Sequence, residues 1–211
     1  MNEYHRYPSG VGRRAWALGY MTPLDAIRVA AWKQAQIPAA MSVNHPLQIE
    51  TVTADAISKL HASGCRHWSP LGNDSATFWQ DYEDLVRSVV GAKNTKTGLY
   101  GMKGVEYPTA SAILCILDPT MFPVIDQHAV RTIYGTESNG SAFDTATWYC
   151  ATVYAHYARH LATTVHEQWG GLSIHQLDLN AMRAGKQIVK EATEGIFATR
   201  QSWPVVQLPG C

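Results

Sequence analysis

The chain has 211 residues, 46% of them hydrophobic, with 17 Lys+Arg balanced by 17 Asp+Glu for a formal net charge of zero. That length can bury a proper core in one domain or two small lobes. The charge balance excludes a globally basic nucleic-acid binder, so any such binding must rest on a local patch. No run of about 18 or more apolar residues occurs, and MNEYHRYPSG carries no apolar signal-peptide core, so no membrane partner is expected. Cys65, Cys115, Cys150 and Cys211 stand far apart without ligand spacing, which argues against zinc and iron–sulfur sites and gives a reduced, cytoplasmic protein as the expectation.

Residues 1–20 read as an N-terminal arm in which Arg6, Arg13 and Arg14 either touch phosphates or pack over the surface. A helical domain over 21–201 follows. Thr22 as N-cap, Pro23 at the first helical position and Asp25 in the first turn open a helix running to about Gln36, and Pro38 ends it. A second helix is predicted over Val52 to Ala62, capped by Thr51 or Thr53, with Ser63-Gly64 at its exit. Asp74 or Ser75 caps a third through Val90, where Phe78, Tyr82, Leu85 and Val89 recur at helical spacing.

The hairpin unit spans about 95–134. Gly101 and Gly104 supply turn conformations, Pro108 suits a helix's first turn, and Ala110, Ile113, Leu114 and Leu117 mark a buried helix beginning near Tyr107. Asp118-Pro119 closes it. Asp126 then stands between an extended Val124-Ile125 and His128-Ala129-Val130, placed to cap the next helix. A long helix is predicted from Phe143 to Gln168, stopped by Gly170-Gly171, and Ser173 opens a last one carrying Ile174, Leu177, Leu179, Met182 and Ile188. The tail, 202–211, reads as irregular. Apart from the short FPVI run no alternating pattern competes, so the fold class is all-α.

Lys93, Lys96 and Lys103 cluster around the hairpin and read either as a phosphate patch or as a solvated loop. His156 and His160 lie four apart on the long helix, but no H-E-x-x-H accompanies them, so no metal is expected. Serine-hydrolase, P-loop and dinucleotide fingerprints are missing too.

Met102-Lys103-Gly104-Val105-Glu106, Thr109-Ala110-Ser111-Ala112-Ile113-Leu114 and Phe122-Pro123-Val124-Ile125-Asp126 together resemble the helix-hairpin-helix DNA glycosylase superfamily, the adenine-glycosylase branch above all. The specific agreement covers residues 99–134. The resemblance implies a two-lobed helical fold and a duplex DNA partner with a flipped base. It implies main-chain donors around Gly104 to Tyr107 gripping a phosphate, with Lys96, Met102, Lys103, Val105, Glu106 and His128 in the DNA-binding set. His128 also reads as a satisfied histidine of a helix's first turn. Asp126 falls on the family's essential aspartate, whose ionised form stabilises the cationic sugar and orients water. Trp32, Trp79 and Tyr82 are candidates for the base pocket, although such residues more often belong to the core.

Two positions depart from the pattern. Pro108 falls where bifunctional members carry a Schiff-base lysine, which implies a monofunctional enzyme. Glu106 replaces the second hairpin glycine, so its carboxylate either opposes a phosphate or points away. The resemblance implies no iron–sulfur cluster here, leaves room for a monovalent cation at the hairpin, and places a DNA-bound form at the nucleoid. The alternative is a catalytically silent nucleic-acid-binding or interaction module in which Asp126 only caps a helix. Oligomeric state is left open.

Overall fold

A computed structural model describes residues 8, 10–33, 41–135, 143–194, 203 and 205–211. Among them the fold is all-helical and no strand occurs. No helix is long and apolar enough to cross a membrane. The chain divides into two compact units, Met1–Trp68 with Asp84–Phe122, and Ser69–Glu83 with Pro123–Cys211.

The first unit begins with α1 (Val11–Leu18), which corrects the expectation of an arm over 1–20. Its cap is Gly10 in the left-handed region with no side-chain bond, so nothing in the sequence advertises the start. Val11, Gly12 and Ala15 are buried. A Cβ on Gly12 would stand 2.0 Å from the Ile116 carbonyl oxygen, so α1 can approach the buried helix only because that side chain is missing. Trp16 Nε1 donates to the Leu117 carbonyl at 2.8 Å. Arg14 pairs with the buried Asp25 of α2 (Pro23–Lys33), so it packs within the fold rather than reaching out as an arm residue. Thr22 Oγ1 accepts from the Asp25 amide at 3.2 Å, the predicted cap. The predicted end near Gln36 and Pro38, like Arg6, lies outside the described residues.

Helix α3 (Pro46–Ala62) starts six residues before the predicted Val52. His45 supplies the cap through its ring, Nδ1 accepting from the Leu47 amide at 3.2 Å. Thr53 caps nothing. It is buried in mid-helix, donating to the Ile49 carbonyl at 2.8 Å while accepting from the Met21 amide at 2.9 Å. Helix α4 (Ala76–Val90) starts in the second unit and ends in the first, with Ser75 Oγ accepting from the Phe78 amide at 3.3 Å. A 3-10 turn (Gly98–Gly101) leads to α5 (Tyr107–Leu117), every residue of which is buried. Helices α1 and α2 pack against α5.

In the second unit, α6 (Gln127–Tyr134) follows Asp126 as predicted. The single helix expected over 143–168 is instead broken into α7 (Thr145–Trp148), α8 (Ala151–His160), a π turn (Leu161–Val165) and α9 (His166–Trp169). The break falls at Cys150, whose backbone is extended and whose sulfur bonds Cys211, with Cα atoms 5.8 Å apart. That disulfide corrects the expectation of four reduced thiols; Cys65 and Cys115 are buried and take part in no disulfide. The tail also ties in through the Val206 amide, which donates to the Ile133 carbonyl at 3.0 Å, and through Trp203, whose ring centroid lies 4.8 Å from that of Trp169 in a tilted pair. Helix α10 (Ile174–Glu194) packs along α6. A Cβ on Gly185 would meet the His128 carbonyl oxygen at 2.0 Å, and Thr132 Oγ1 donates to the Ala181 carbonyl at 2.7 Å.

Candidate functional site

The hairpin belongs to the first unit. Gly104 adopts φ 78°, the left-handed conformation a side chain resists, and turns the chain from the 3-10 segment into α5. Its shape is fixed from α3 and the loop before it. The buried Asn44 amide makes a paired contact with the main chain of one residue, Nδ2 donating to the Lys103 carbonyl at 2.9 Å and Oδ1 accepting from the Lys103 amide at 2.7 Å. Gln48 Nε2 donates to the Gly101 carbonyl. Sequence reasoning missed both, because a polar residue 59 positions away leaves no local pattern.

Glu106 is the N-cap of α5 without a side-chain cap bond. Its carboxylate turns instead to Lys93, Nζ to Oε2 2.8 Å, with side chains 65% and 44% exposed. In this pairing the Glu106 charge is set against Lys93, which is therefore not a spare cation of the patch. Such an exposed pair is worth at most about 1 kcal/mol, so its consequence is charge placement rather than stability. Lys96 and Lys103 are exposed. Met102, Val105 and Tyr107 are buried, at 2%, 4% and 2% exposure, which limits their part in any contact to main-chain atoms. The carbonyls of Gly101 and Lys103, the kind of oxygen a monovalent cation would use, already accept from Gln48 and Asn44. Each of these oxygens keeps a second lone pair beside the one its donor uses.

Asp126 belongs to the second unit. Its backbone is extended, and Oδ1 accepts from the amides of His128 and Ala129, each at 2.9 Å. Amide donors at a helix N-terminus favour the charged carboxylate. The residue is half-buried rather than sealed. The segment that enters it is pinned on both sides of a peptide, the Pro123 carbonyl accepting from Tyr154 Oη at 2.7 Å and the Val124 amide donating to Asp178 Oδ2 at 3.0 Å. His128, also half-buried, places Nδ1 3.4 Å from Arg131 Nη1. At the other end of α6, Tyr134 Oη lies 3.1 Å from His156 Nδ1. Burial pushes the Tyr134 hydroxyl well above the usual phenol range, and it pushes His156 down, with the Arg159 charge adding to the latter.

Trp79 and Tyr82 do not present a face to a ligand. They are 5% and 0% exposed and sit in an aromatic cluster, Tyr82 stacked 6.2 Å from Tyr154 and Trp79 5.0 Å from Phe78 edge to face. Trp79 Nε1 is satisfied by the Asn73 carbonyl at 2.6 Å. Of the two roles the residues allow, their burial fits core. Trp32, in the first unit, is half-exposed. A recess beside α6, lined by Gln127, Val130, Arg131, Gly135, Phe143 and Trp148, has no room even for a water molecule and falls far short of a small-molecule site. Among the described residues no group of three His, Cys, Asp or Glu could hold a metal ion. Set against protein-family models, curated proteins and solved structures, the chain matches none.

Proposed function

We propose that the protein is a monofunctional DNA glycosylase of the helix-hairpin-helix kind, hydrolysing the bond between a damaged or mismatched base and its deoxyribose. The observation that carries the reading is the state of Asp126, a half-buried carboxylate held by two amides at a helix N-terminus. Cleavage of an N-glycosidic bond builds positive charge on the sugar. An ionised carboxylate stabilises that charge and orients or deprotonates the attacking water, an effect worth about 10²–10⁴-fold when a positioned base is involved. Water is the nucleophile, because Pro108 offers no amine for a Schiff base. The amides at the start of α5, with Lys96 and Lys103, hold a phosphate without reading sequence. The target base is turned out of the stack before it reacts.

A second reading has its own support. The two amide bonds to Asp126 are what any helix-capping aspartate makes, so a catalytically silent nucleic-acid-binding module keeps the same geometry. Incubation with duplexes carrying alkylated, oxidised, deaminated or mismatched bases, followed by alkali, separates the two. Asparagine caps helices about as well as aspartate, so Asp126→Asn keeps the fold and removes the charge. Base release by the wild type, lost in Asp126→Asn with DNA binding retained, supports the enzyme. Binding with no base release from any duplex supports the module.

A further inference from the structure

The second unit buries a carboxylate that no catalytic step requires. Asp178, in the second turn of α10, is 2% exposed. Burying an ionised carboxylate costs several kcal/mol unless hydrogen bonds replace its water, and both of its oxygens are so engaged. Oδ1 accepts from Tyr157 Oη at 2.6 Å, and Oδ2 accepts from the Val124 amide at 3.0 Å. Val124 is two residues before Asp126. Tyr157 is fully buried on α8, and its hydroxyl is held well above the usual phenol range, first by burial, then by the negative charges of Asp178 and, further down the order, Asp126. Both carboxylates thus act on one phenol.

A neutral amide or hydroxyl could accept an amide hydrogen in a core at lower desolvation cost. A charged acceptor makes a shorter, stiffer bond, roughly twice as strong as a neutral one. Together with Tyr154 Oη on the Pro123 carbonyl, it fixes the two polar groups flanking the Pro123–Val124 peptide bond. The α6 amides fix the carboxylate from the other side.

We propose that Asp178, oriented by Tyr157, is a positioning residue for Asp126, setting where its carboxylate stands by holding the peptide that enters it. The inference rests on the glycosylase reading. It touches no substrate atom and acts through geometry alone, where a misplacement of 1 Å can cost about 100-fold in rate.

The test uses the full chain, a duplex from which the wild type releases base, and the variants Asp178→Asn and Tyr157→Phe. Single-turnover base release falls about 10- to 100-fold in Asp178→Asn, while the dissociation constant for the same duplex stays unchanged. Amide hydrogen exchange quickens across residues 124–129 and stays unchanged within α5. Should Asp178→Asn fail to fold, Tyr157→Phe keeps the ring and is judged by the same readouts. Wild-type rate in the folded variants, or unchanged exchange over 124–129, overturns the proposal. A parallel loss of binding and rate also overturns it, since that is general damage. If the wild type releases no base from any duplex, the glycosylase reading fails and takes the catalytic role of Asp178 with it; altered exchange over 124–129 then still separates that failure from an error in the positioning contact.

Discussion

Gly185→Ala adds one methyl group where α10 touches α6, and the structure sets its cost. The new Cβ would lie 2.0 Å from the His128 carbonyl oxygen, 2.6 Å from its carbon and 2.9 Å from Cα, all backbone atoms that cannot rotate aside. Ordinary contact requires a retreat of about 1.4 Å or more between the helices. The Thr132 hydroxyl, 2.7 Å from the Ala181 carbonyl, would then stretch beyond useful hydrogen-bond length. Overpacking costs about 1–3 kcal/mol, and a strained buried hydrogen bond adds about 1 kcal/mol or more, against a helix-propensity gain of at most about 1 kcal/mol. The net is about 1–3 kcal/mol of destabilisation, which in a chain of this length lowers Tm by about 2–12 °C. Thermal unfolding followed by circular dichroism reads it directly. A Tm equal to or above that of the wild type would refute the close approach, because helix propensity alone would then be showing.

Further outcomes follow from other contacts. Asn44→Ala strips the Lys103 N–H and C=O of their partner, costs about 1–3 kcal/mol, and quickens hydrogen exchange through 101–106; unchanged exchange there would contradict the assigned role. Lys96→Ala and Lys103→Ala each lower the dependence of log affinity on log salt by about 0.9 in duplex binding, and an unaltered slope removes them from the interface. Cys150→Ser opens a loop spanning 61 positions and lowers the unfolding free energy by about 2–4 kcal/mol under oxidising conditions, a difference that a reductant should abolish in denaturant titrations. His156 and His175 are both held below their ordinary value of 6.5 by burial. The unfolded chain therefore takes up protons first, so their contribution is complete above 6.5 and is lost as pH falls below it. Denaturation midpoints at about pH 5 and about pH 7.5 should differ less in His156→Gln than in the wild type.

Legibility in the sequence tracks how local each cause is. Helix α5 was readable because Pro108 and the apolar spacing lie within its own residues, and so was the Asp126 cap, because cap and capped amides are neighbours. Helix α3 lost its first two turns to the reading because a histidine ring did the capping. Helix α1 was missed because its burial depends on Gly12, a residue that looks like a loop former until Ile116 is seen against it. At the candidate site, the pairing of Glu106 with Lys93, 13 positions away, leaves no local pattern. Asn44 and Asp178 were invisible for the same reason, each reaching a peptide more than 50 positions distant. Trp79 and Tyr82 are aromatic whichever role they play; their burial decides it, and composition does not carry burial.

The way the chain is shared between its two units bears on any attempt to dissect it. Residues 69–83 lie early in the sequence yet belong with everything after 122. A fragment beginning at Pro123 would leave Tyr154 without the Tyr82 ring stacked on it and Thr152 without the Glu83 carboxylate 2.8 Å away. The complementary piece, ending at Phe122, would carry Trp79 and Tyr82 with nothing left to cover them. Halves expressed separately should therefore aggregate, and a workable second half needs 69–83 spliced ahead of it.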